Sequence, residues 1–192
     1  MSHETAYMVH RVRYPSYSLA GFLAGVPVVE VSLSEKRGRA MTQHQIASKI
    51  GIIDTWMMEG TDVPQWIAIT GDTQGVNTDL FLALRQLCKK AVYLETDGKR
   101  SLRSGGFSMP NYDHVCLRPR LPIERIECEL FHSVLVDARQ GPVRPLSRTL
   151  DALGFNGPRY VLASAKGADV CRRNPKHWRM TCAAEPKEEK AA

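Results

Sequence analysis

The sequence predicts an α/β fold with mainly parallel strands, and three observations lead to this prediction. Short apolar runs rich in β-branched residues, such as Val26–Leu33 and Trp66–Thr70, are typical of buried strands. Segments with apolar residues at helical spacing, such as Ile46 and Ile50, stand between these runs. Strands that alternate with helices pair in parallel through right-handed crossovers. Because the chain has 192 residues, we expect one α/β domain over residues 1–184.

The first predicted strand leads through a basic loop into a helix. The loop is Ser34–Ala40, and the Thr42 hydroxyl is suited to cap the helix that follows. The core positions of this helix are expected at Ile46, Ile50, Ile53 and either Trp56 or Met57. After the strand Trp66–Thr70, Thr78 or Asp79 opens a second helix. Its predicted core face consists of Leu80, Leu84 and Leu87.

Four further strands and one helix are predicted towards the carboxyl end. The strands are Ala91–Glu95, His114–Leu117, His132–Val136 and Tyr160–Ala163, and the helix is Leu146–Leu153, ended by Gly154. The glycines and prolines of Lys99–Asn111 predict a loop. Residues Glu185–Ala192 are polar and charged, so we expect a flexible tail.

The candidate ligand-binding residues come at the end of each predicted strand. Ligands of open parallel sheets bind in the crevice outside the carboxyl ends of the strands. The segments expected there are Ser34–Arg39, Gly71–Gln74, Glu95–Gly98 and Arg118–Arg120. Within and beside them the candidates are Arg37, Arg39, Thr70, Gly71, Asp72, Thr73, Glu95, Thr96, Arg118 and Arg120. Each has a simpler alternative as an exposed basic turn, a helix cap, a turn contact or a salt bridge.

Charge and motifs narrow the function only in part. Lys and Arg number 26 against 20 Asp and Glu, and the net charge of +6 favours anionic ligands such as phosphates, nucleotides or RNA. The basic residues are scattered, so the charge selects none of these ligands. The sequence has no phosphate-binding loop, no nucleophile elbow and no zinc-ligand spacing, and no catalytic residue is predicted.

The five cysteines indicate a reduced compartment. Cys88, Cys116, Cys128, Cys171 and Cys182 are odd in number, widely spaced and without a C-x-x-C pair. They form neither a disulfide framework nor a metal knuckle, so we predict no metal site and a cytoplasmic protein. The apolar stretch Leu19–Val29 faintly resembles a signal peptide. Pro27 interrupts it, Glu30 follows it, and it is too short to span a bilayer, so we expect no membrane association.

Four segments, in this order, resemble the 7-carboxy-7-deazaguanine synthases, the radical-SAM enzymes of queuosine and deazaguanine biosynthesis. Gly25–Leu33 is similar to the family's opening G-x-P strand. Ala40–Thr42 opens a helix, and Trp66–Gly71 then looks like the start of the family's T-G-G-E-P strand. Tyr93–Gly98 matches its L-E-T-x-G turn, and Pro175–Thr181 is close to its P-x-W-R-L-S segment. The resemblance implies a small partial (β/α) barrel of radical-SAM type.

The sequence departs from the family where the family binds its cofactors. The family's C-x3-C-x2-C cluster loop is replaced by Ser34–Ala40, which contains no cysteine, and iron–sulfur clusters need thiolates. We therefore expect no iron–sulfur cluster. The G-G-E-P turn that holds the amine of SAM is Gly71–Gln74 here, in which Asp72 or Thr73 can still accept a hydrogen bond. SAM thus stays a candidate cofactor, bound more weakly.

The substrate-contacting segments of the family also differ. Its S-P-K segment aligns with Arg118–Arg120, and its Q-T-H-K segment is Ala183–Pro186 in this chain. The resemblance implies that Glu95 faces the substrate pocket. These changes indicate that the ligand is a different one.

Three functional hypotheses follow. The first is a cluster-free 7-carboxy-7-deazaguanine synthase-like pseudoenzyme that binds a small anionic or nucleotide-like ligand, or a partner protein such as a complete synthase. The second is an enzyme with non-radical chemistry in the repurposed pocket. The third is an RNA-associated module that uses the basic loops.

Overall fold

The structure is a computed structural model that describes residues 5–16, 19–57, 63–73, 76, 78–99, 112–123, 125–128, 130–174 and 176–182. The strands are β1 (Ala6–Ser16), β2 (Val28–Leu33), β3 (Arg39–Thr42), β4 (Trp66–Gly71), β5 (Ala91–Thr96), β6 (His114–Leu117), β7 (Ser133–Val136), β8 (Arg159–Leu162) and β9 (Trp178–Thr181). The helices are α1 (Gln43–Met57), α2 (Thr78–Cys88), α3 (Arg144–Ala152) and α4 (Ala165–Arg173), and Gly21–Leu23 forms a 3-10 turn. The predicted loop beyond Lys99 up to Asn111 and the predicted tail Glu185–Ala192 lie outside the described residues.

All nine strands form one mostly parallel sheet, which confirms the predicted α/β class. The strand order is β3-β1-β2-β4-β5-β6-β7-β8-β9. From β2 to β9 every neighbouring pair in this order is parallel, and these strands follow one another in chain order. Strand β1 pairs antiparallel with both β2 and β3. The sheet is open, with β3 and β9 as its two edges.

Three of the described strands were not predicted from the sequence, β1 and β3 at one edge of the sheet and β9 at the other. In β1 the buried side chains of Tyr7 and Val9 alternate with exposed ones, but register shifts after Val9 and after Arg13 break this alternation. Strand β3 begins within the predicted loop Ser34–Ala40 and extends to Thr42, the predicted helix cap. It was missed because its residues are exposed or only half-buried. The remaining loop between β2 and β3 is Ser34–Gly38.

The predicted helices form, with one wrong position. Thr42 caps α1 as predicted, because its hydroxyl accepts a hydrogen bond from the Gln45 amide at 3.3 Å. In α2, Leu80 and Leu84 are fully buried as predicted, but Leu87 is 56% exposed. Phe81 takes the third core position instead, because it lies next to Leu80 on the side of the helix that faces the sheet. The side chains of Trp56 and Met57 lie outside the described ones.

All four helices pack against one face of the sheet, here called the helix face. Side chains of α1 and α2 share an apolar cluster with alternate residues of strands β2, β4, β5 and β6. Side chains of α3 and α4 share a second cluster with alternate residues of β6, β7, β8 and β9. These strand residues include Val29, Val31, Ile67, Ile69, Val92, Leu94, Val115, Leu117, Val134, Val136 and Val161. Since side chains alternate along a strand, the residues between them point to the other face, here called the polar face.

An apolar layer covers part of the polar face. Leu19, Ala20 and Leu23, in and beside the 3-10 turn, cover this layer. The layer consists of Val28 of β2, Ala68 of β4, Tyr93 of β5, Cys116 of β6 and Leu135 of β7. The segment that faintly resembles a signal peptide is therefore part of the folded core. Within the described part of the chain, no helix is long and apolar enough to cross a membrane.

The burial difference within α2 can be tested by two substitutions. Leu84→Ala should lower the free energy of unfolding by about 2–5 kcal/mol, because it leaves a cavity in the cluster beneath α2. Leu87→Ala is the matched control and should change it by less than about 0.5 kcal/mol, because that side chain is exposed. Urea unfolding of both variants measures the two values. Equal losses would contradict this placement of α2.

Candidate functional site

Polar residues stand two positions after the apolar layer on five neighbouring strands. Glu30 follows Val28, Thr70 follows Ala68, Glu95 follows Tyr93, Arg118 follows Cys116 and Asp137 follows Leu135. A spacing of two keeps each on the same face and moves it towards the carboxyl end of its strand. Thr70, Glu95, Arg118 and Asp137 therefore lie at or just beyond the carboxyl ends of their strands, where the sequence predicts the ligand crevice. Glu30 lies farther back within β2 and joins them through its hydrogen bond with Thr70. These five residues are here called the polar row.

Glu95 is the centre of the polar row. Its side chain is buried, and its Oε2 accepts a hydrogen bond from Arg118 Nη1 at 2.9 Å. The Thr73 hydroxyl donates to the Glu95 carbonyl oxygen at 2.7 Å, which fixes the backbone at the end of β5. The second carboxylate oxygen, Oε1, is buried without a hydrogen-bond partner among the described residues. A buried acceptor without a partner is costly, and this one is free to accept from a ligand.

Arg118 is the member of the polar row whose charge is partly exposed to solvent. Its side chain is 47% exposed, so the guanidinium keeps other donors available. Burial pulls the pKa of Arg118 down, but the charge and hydrogen bond of Glu95 outweigh it and raise the pKa overall. Asp137 lies close enough for the charge of Arg118 to lower its pKa, although the hydrogen bond from Arg139 is the larger cause. This end of the sheet thus presents charges of both signs.

Glu30 belongs to the site but was not among the predicted candidates. It lies within β2 and is buried, and its Oε1 accepts a hydrogen bond from the Thr70 hydroxyl at 3.1 Å. A single acidic residue inside a β-branched strand was the available sequence signal. Asp137 and Arg139, which join at 2.7 Å just after β7, were also missed.

The turn after β4 holds the carboxyl ends of β2 and β4 together. Gly71 has a φ of 85°, and a Cβ there would overlap the Leu33 carbonyl oxygen. The Asp72 amide donates to the same oxygen at 3.0 Å, and the Asp72 side chain is half-buried. Because the Thr73 hydroxyl already donates to Glu95, only its lone pairs remain for a ligand. Gln74 lies outside the described residues.

Two other candidates stand apart from the polar row. Thr96 alternates with Glu95 and so points to the helix face, where its hydroxyl accepts from the Gly98 amide at 3.2 Å. This hydrogen bond stabilises the turn after β5. Arg120 is exposed after β6, two residues beyond Arg118.

Arg37 and Arg39 line a separate basic cavity. This cavity has a volume of about 450 Å³ and lies beside β1, β3 and α1. Its lining residues are Val9, His10, Arg11, Arg37, Gly38, Arg39, Met41 and Lys49. No member of the polar row is among them. The two arginines, predicted for the same crevice as Glu95, thus belong to another part of the surface.

A cavity of about 950 Å³ lies between α3 and α4. Its lining includes Arg144, Arg148 and Lys166 together with Asp151 and Asp169, so both charges are present. Because it opens on the helix face, it does not coincide with the carboxyl-end site of the parallel strands.

The cysteines do not fit an iron–sulfur cluster. The loop between β2 and β3 contains no thiolate, and the five cysteines lie on α2, β6, α4, the loop before β7 and the residue after β9. Within the described residues, no three His, Cys, Asp or Glu side chains come together as metal ligands. Cluster ligation needs several thiolates at one place, and the described cysteines do not provide this.

A comparison with models of protein families and with curated proteins found no match to this chain. The resemblance to the deazaguanine synthases therefore depends on its four sequence segments.

His114 is held between aromatic rings next to the apolar layer. Its ring stacks on Phe22 of the 3-10 turn at 3.9 Å between centroids and on Tyr93 at 5.6 Å. Its Nε2 lies 2.8 Å from the Ser133 hydroxyl. Burial, with a smaller contribution from the charge of His132, lowers the pKa of His114 to about 4. His114 and His132 thus make structural contacts.

Acid should destabilise the protein through His114. The unfolded chain takes up this proton near pH 6.5, before the folded protein does. The contribution of neutral His114 is therefore complete above pH 6.5 and is lost as the pH falls towards 4, by on the order of 3 kcal/mol.

Urea unfolding from pH 7 to 4 measures this effect. His114→Gln should lose less stability over this range than the unsubstituted protein, whereas His177→Gln, at an exposed position, should follow the unsubstituted protein. Parallel curves for all three proteins would show that His114 titrates normally.

Proposed function

We propose that this chain is a cluster-free relative of the 7-carboxy-7-deazaguanine synthases that binds a small ligand at the polar row and does not perform radical chemistry. The observation that carries the proposal is the buried Glu95 Oε1, which has no partner among the described residues and stands at the carboxyl end of β5. Side chains buried to this degree normally have their hydrogen bonds satisfied. A ligand that donates a hydrogen bond to Glu95 Oε1 satisfies this acceptor.

The strand order supports a partial (β/α) barrel of radical-SAM type. Parallel strands that follow one another in chain order, with right-handed crossovers, place their helices on one face. The helix face of this sheet has that arrangement, and the other face is left for a site. Such a barrel is the fold that the resemblance implies.

The four resembling segments also support the proposal by their positions. Gly25–Leu33 ends in β2, Trp66–Gly71 is β4, and Tyr93–Gly98 covers the end of β5 and its turn. The fourth segment ends in β9. All four therefore reach the carboxyl ends of parallel strands, which is where a shared binding site would place them.

The charges of the polar row define the kind of ligand. Glu95 and Glu30 accept hydrogen bonds from ammonium or amide donors, whereas Arg118 pairs with a carboxylate or phosphate. A compact ligand with both groups matches this pattern. SAM, 6-carboxytetrahydropterin and 7-carboxy-7-deazaguanine each carry N–H donors and a carboxylate, so they are the ligands to test.

A thermal-shift titration tests the proposal. A ligand present at 100 times its dissociation constant adds about 2.7 kcal/mol, which raises Tm by about 5–10 °C in a domain of this size. We expect at least one of the three ligands to give such a shift. Turnover of that ligand without iron would favour the enzymatic hypothesis over the pseudoenzyme.

Glu95→Gln should abolish most of the shift, because it removes the charged acceptor of the ligand. Asp169→Asn is the matched control, since Asp169 also pairs with an arginine, at 3.0 Å on α4, but far along the strand order from β5. The control should keep the full shift. A shift that survives in Glu95→Gln, or no shift with any ligand, would contradict binding at the polar row.

A further inference from the structure

The basic cavity beside β1 collects positive charge from four separate elements of the chain. Arg11 comes from β1, Arg37 from the loop after β2, Arg39 from β3 and Lys49 from α1. His10 also lines the cavity, and no acidic residue does. The sequence did not predict that these basic residues lie together, because they are spread over nearly forty positions.

None of these four cations is neutralised within the described part of the chain. The side chains of Arg11, Arg37, Arg39 and Lys49 make no ion pair or hydrogen bond to a described residue. The hydrogen bond between Arg37 and the Ser34 hydroxyl, at 3.3 Å, uses the Arg37 backbone amide. Other arginines of this protein, such as Arg118 and Arg173, do pair with carboxylates. Like charges without a counter-ion repel one another, and an anion within the cavity relieves this repulsion.

Backbone contacts bring the loop that carries Arg37 close to β1. The Ser34 amide donates to the Met8 carbonyl oxygen at 2.9 Å at one end of the loop, and Arg39 pairs with Val9 at the other. Between them, a Cβ on Gly38 would lie 2.9 Å from the carbonyl group of Val9. Only a glycine lets the loop approach β1 this closely. The backbone of Arg37 and that of Arg39 thereby lie on either side of this contact.

We infer that the basic cavity is a second binding site, which takes the phosphate groups of a ligand. Guanidinium groups bind phosphate through paired hydrogen bonds, and a lysine adds a point charge. The volume of about 450 Å³ is within the range of small-ligand sites and accommodates one or more phosphate groups. The phosphates come either from a small molecule or from the backbone of a polynucleotide, which binds with the same chemistry.

The test compares charge reversal inside the cavity with the same reversal elsewhere. The test variant carries Arg37→Glu and Arg39→Glu. The control carries Lys166→Glu and Arg172→Glu on α4, two exposed positions near the opposite edge of the sheet. Both variants change the net charge equally, so a difference between them reports the site and not the overall field. A third variant, Arg11→Gln with Lys49→Gln, perturbs the fold least and covers a failure of the test variant to fold.

Two probes distinguish the source of the phosphate. Fluorescence anisotropy measures binding of a labelled twelve-nucleotide oligouridine between 50 and 200 mM salt, and calorimetry measures inorganic pyrophosphate. We expect the unsubstituted protein to bind at least one probe, and the test variant to bind it about tenfold more weakly. For the oligouridine, two lost phosphate contacts should also reduce the slope of log affinity against log salt by about 1.4. The control should stay within about twofold of the unsubstituted protein.

Each outcome decides the inference. A loss with both probes or with pyrophosphate alone supports a site for the phosphate group of a small molecule, and a loss with the oligouridine alone supports a polynucleotide. If the unsubstituted protein binds neither probe, or if the control loses as much affinity as the test variant, the cavity is not a phosphate site.

Discussion

The two-residue period of the parallel strands determines where this protein places its charges. Strands β2, β4, β5, β6 and β7 each send alternate side chains to the helix face, where the helices bury them. The intervening side chains must then share the other face, first as an apolar layer beneath the 3-10 turn and then as the polar row. A shift of one residue in any of these strands would bury its member of the polar row under a helix. The site therefore depends on the strand register and not on any single loop.

Within the polar row, Glu95 is the residue whose burial is energetically costly. One of its oxygens pairs with Arg118, whereas the other is buried without a partner in the described part of the chain. Burial of an acceptor without its hydrogen bond costs about 1–3 kcal/mol. Lys90 shows how the same protein treats a purely structural charge, because its ammonium group contacts both Asp54 at 3.1 Å and the Pro64 carbonyl oxygen at 2.7 Å. Asp54 Oδ1 is also buried without a partner among the described residues, so it is the position of Glu95 at the carboxyl end of β5, together with its unpaired oxygen, that indicates a ligand site.

The sequence predicted those parts of the fold that have a strong local signal. Buried parallel strands such as β4 are continuous apolar runs, and α1 has both a cap and helical spacing, so both were found. Strand β1 was missed because its register shifts break the alternation, and α4 was missed because it is polar along most of its length and is ordered by its Ser164 cap.

The candidate site also has residues that the sequence predicted and residues that it did not. Thr70, Glu95 and Arg118 could be predicted because each stands at or just after the end of a strand. Glu30 could not, because a charge inside a strand reveals neither its face nor its partner. The basic cavity requires Arg11 and Lys49 to lie near Arg37, and only the antiparallel pairing of β1 and the packing of α1 bring them together.

The most direct test of a ligand role for Glu95 is urea unfolding of Glu95→Met without ligand, with Lys90→Met for comparison. If Glu95 serves a ligand, its replacement should leave the free energy of unfolding unchanged or raise it, because Arg118 stays hydrated, whereas Lys90→Met should lose about 3 kcal/mol. An equally large loss in Glu95→Met would show that Glu95 is a structural ion pair and would contradict the account.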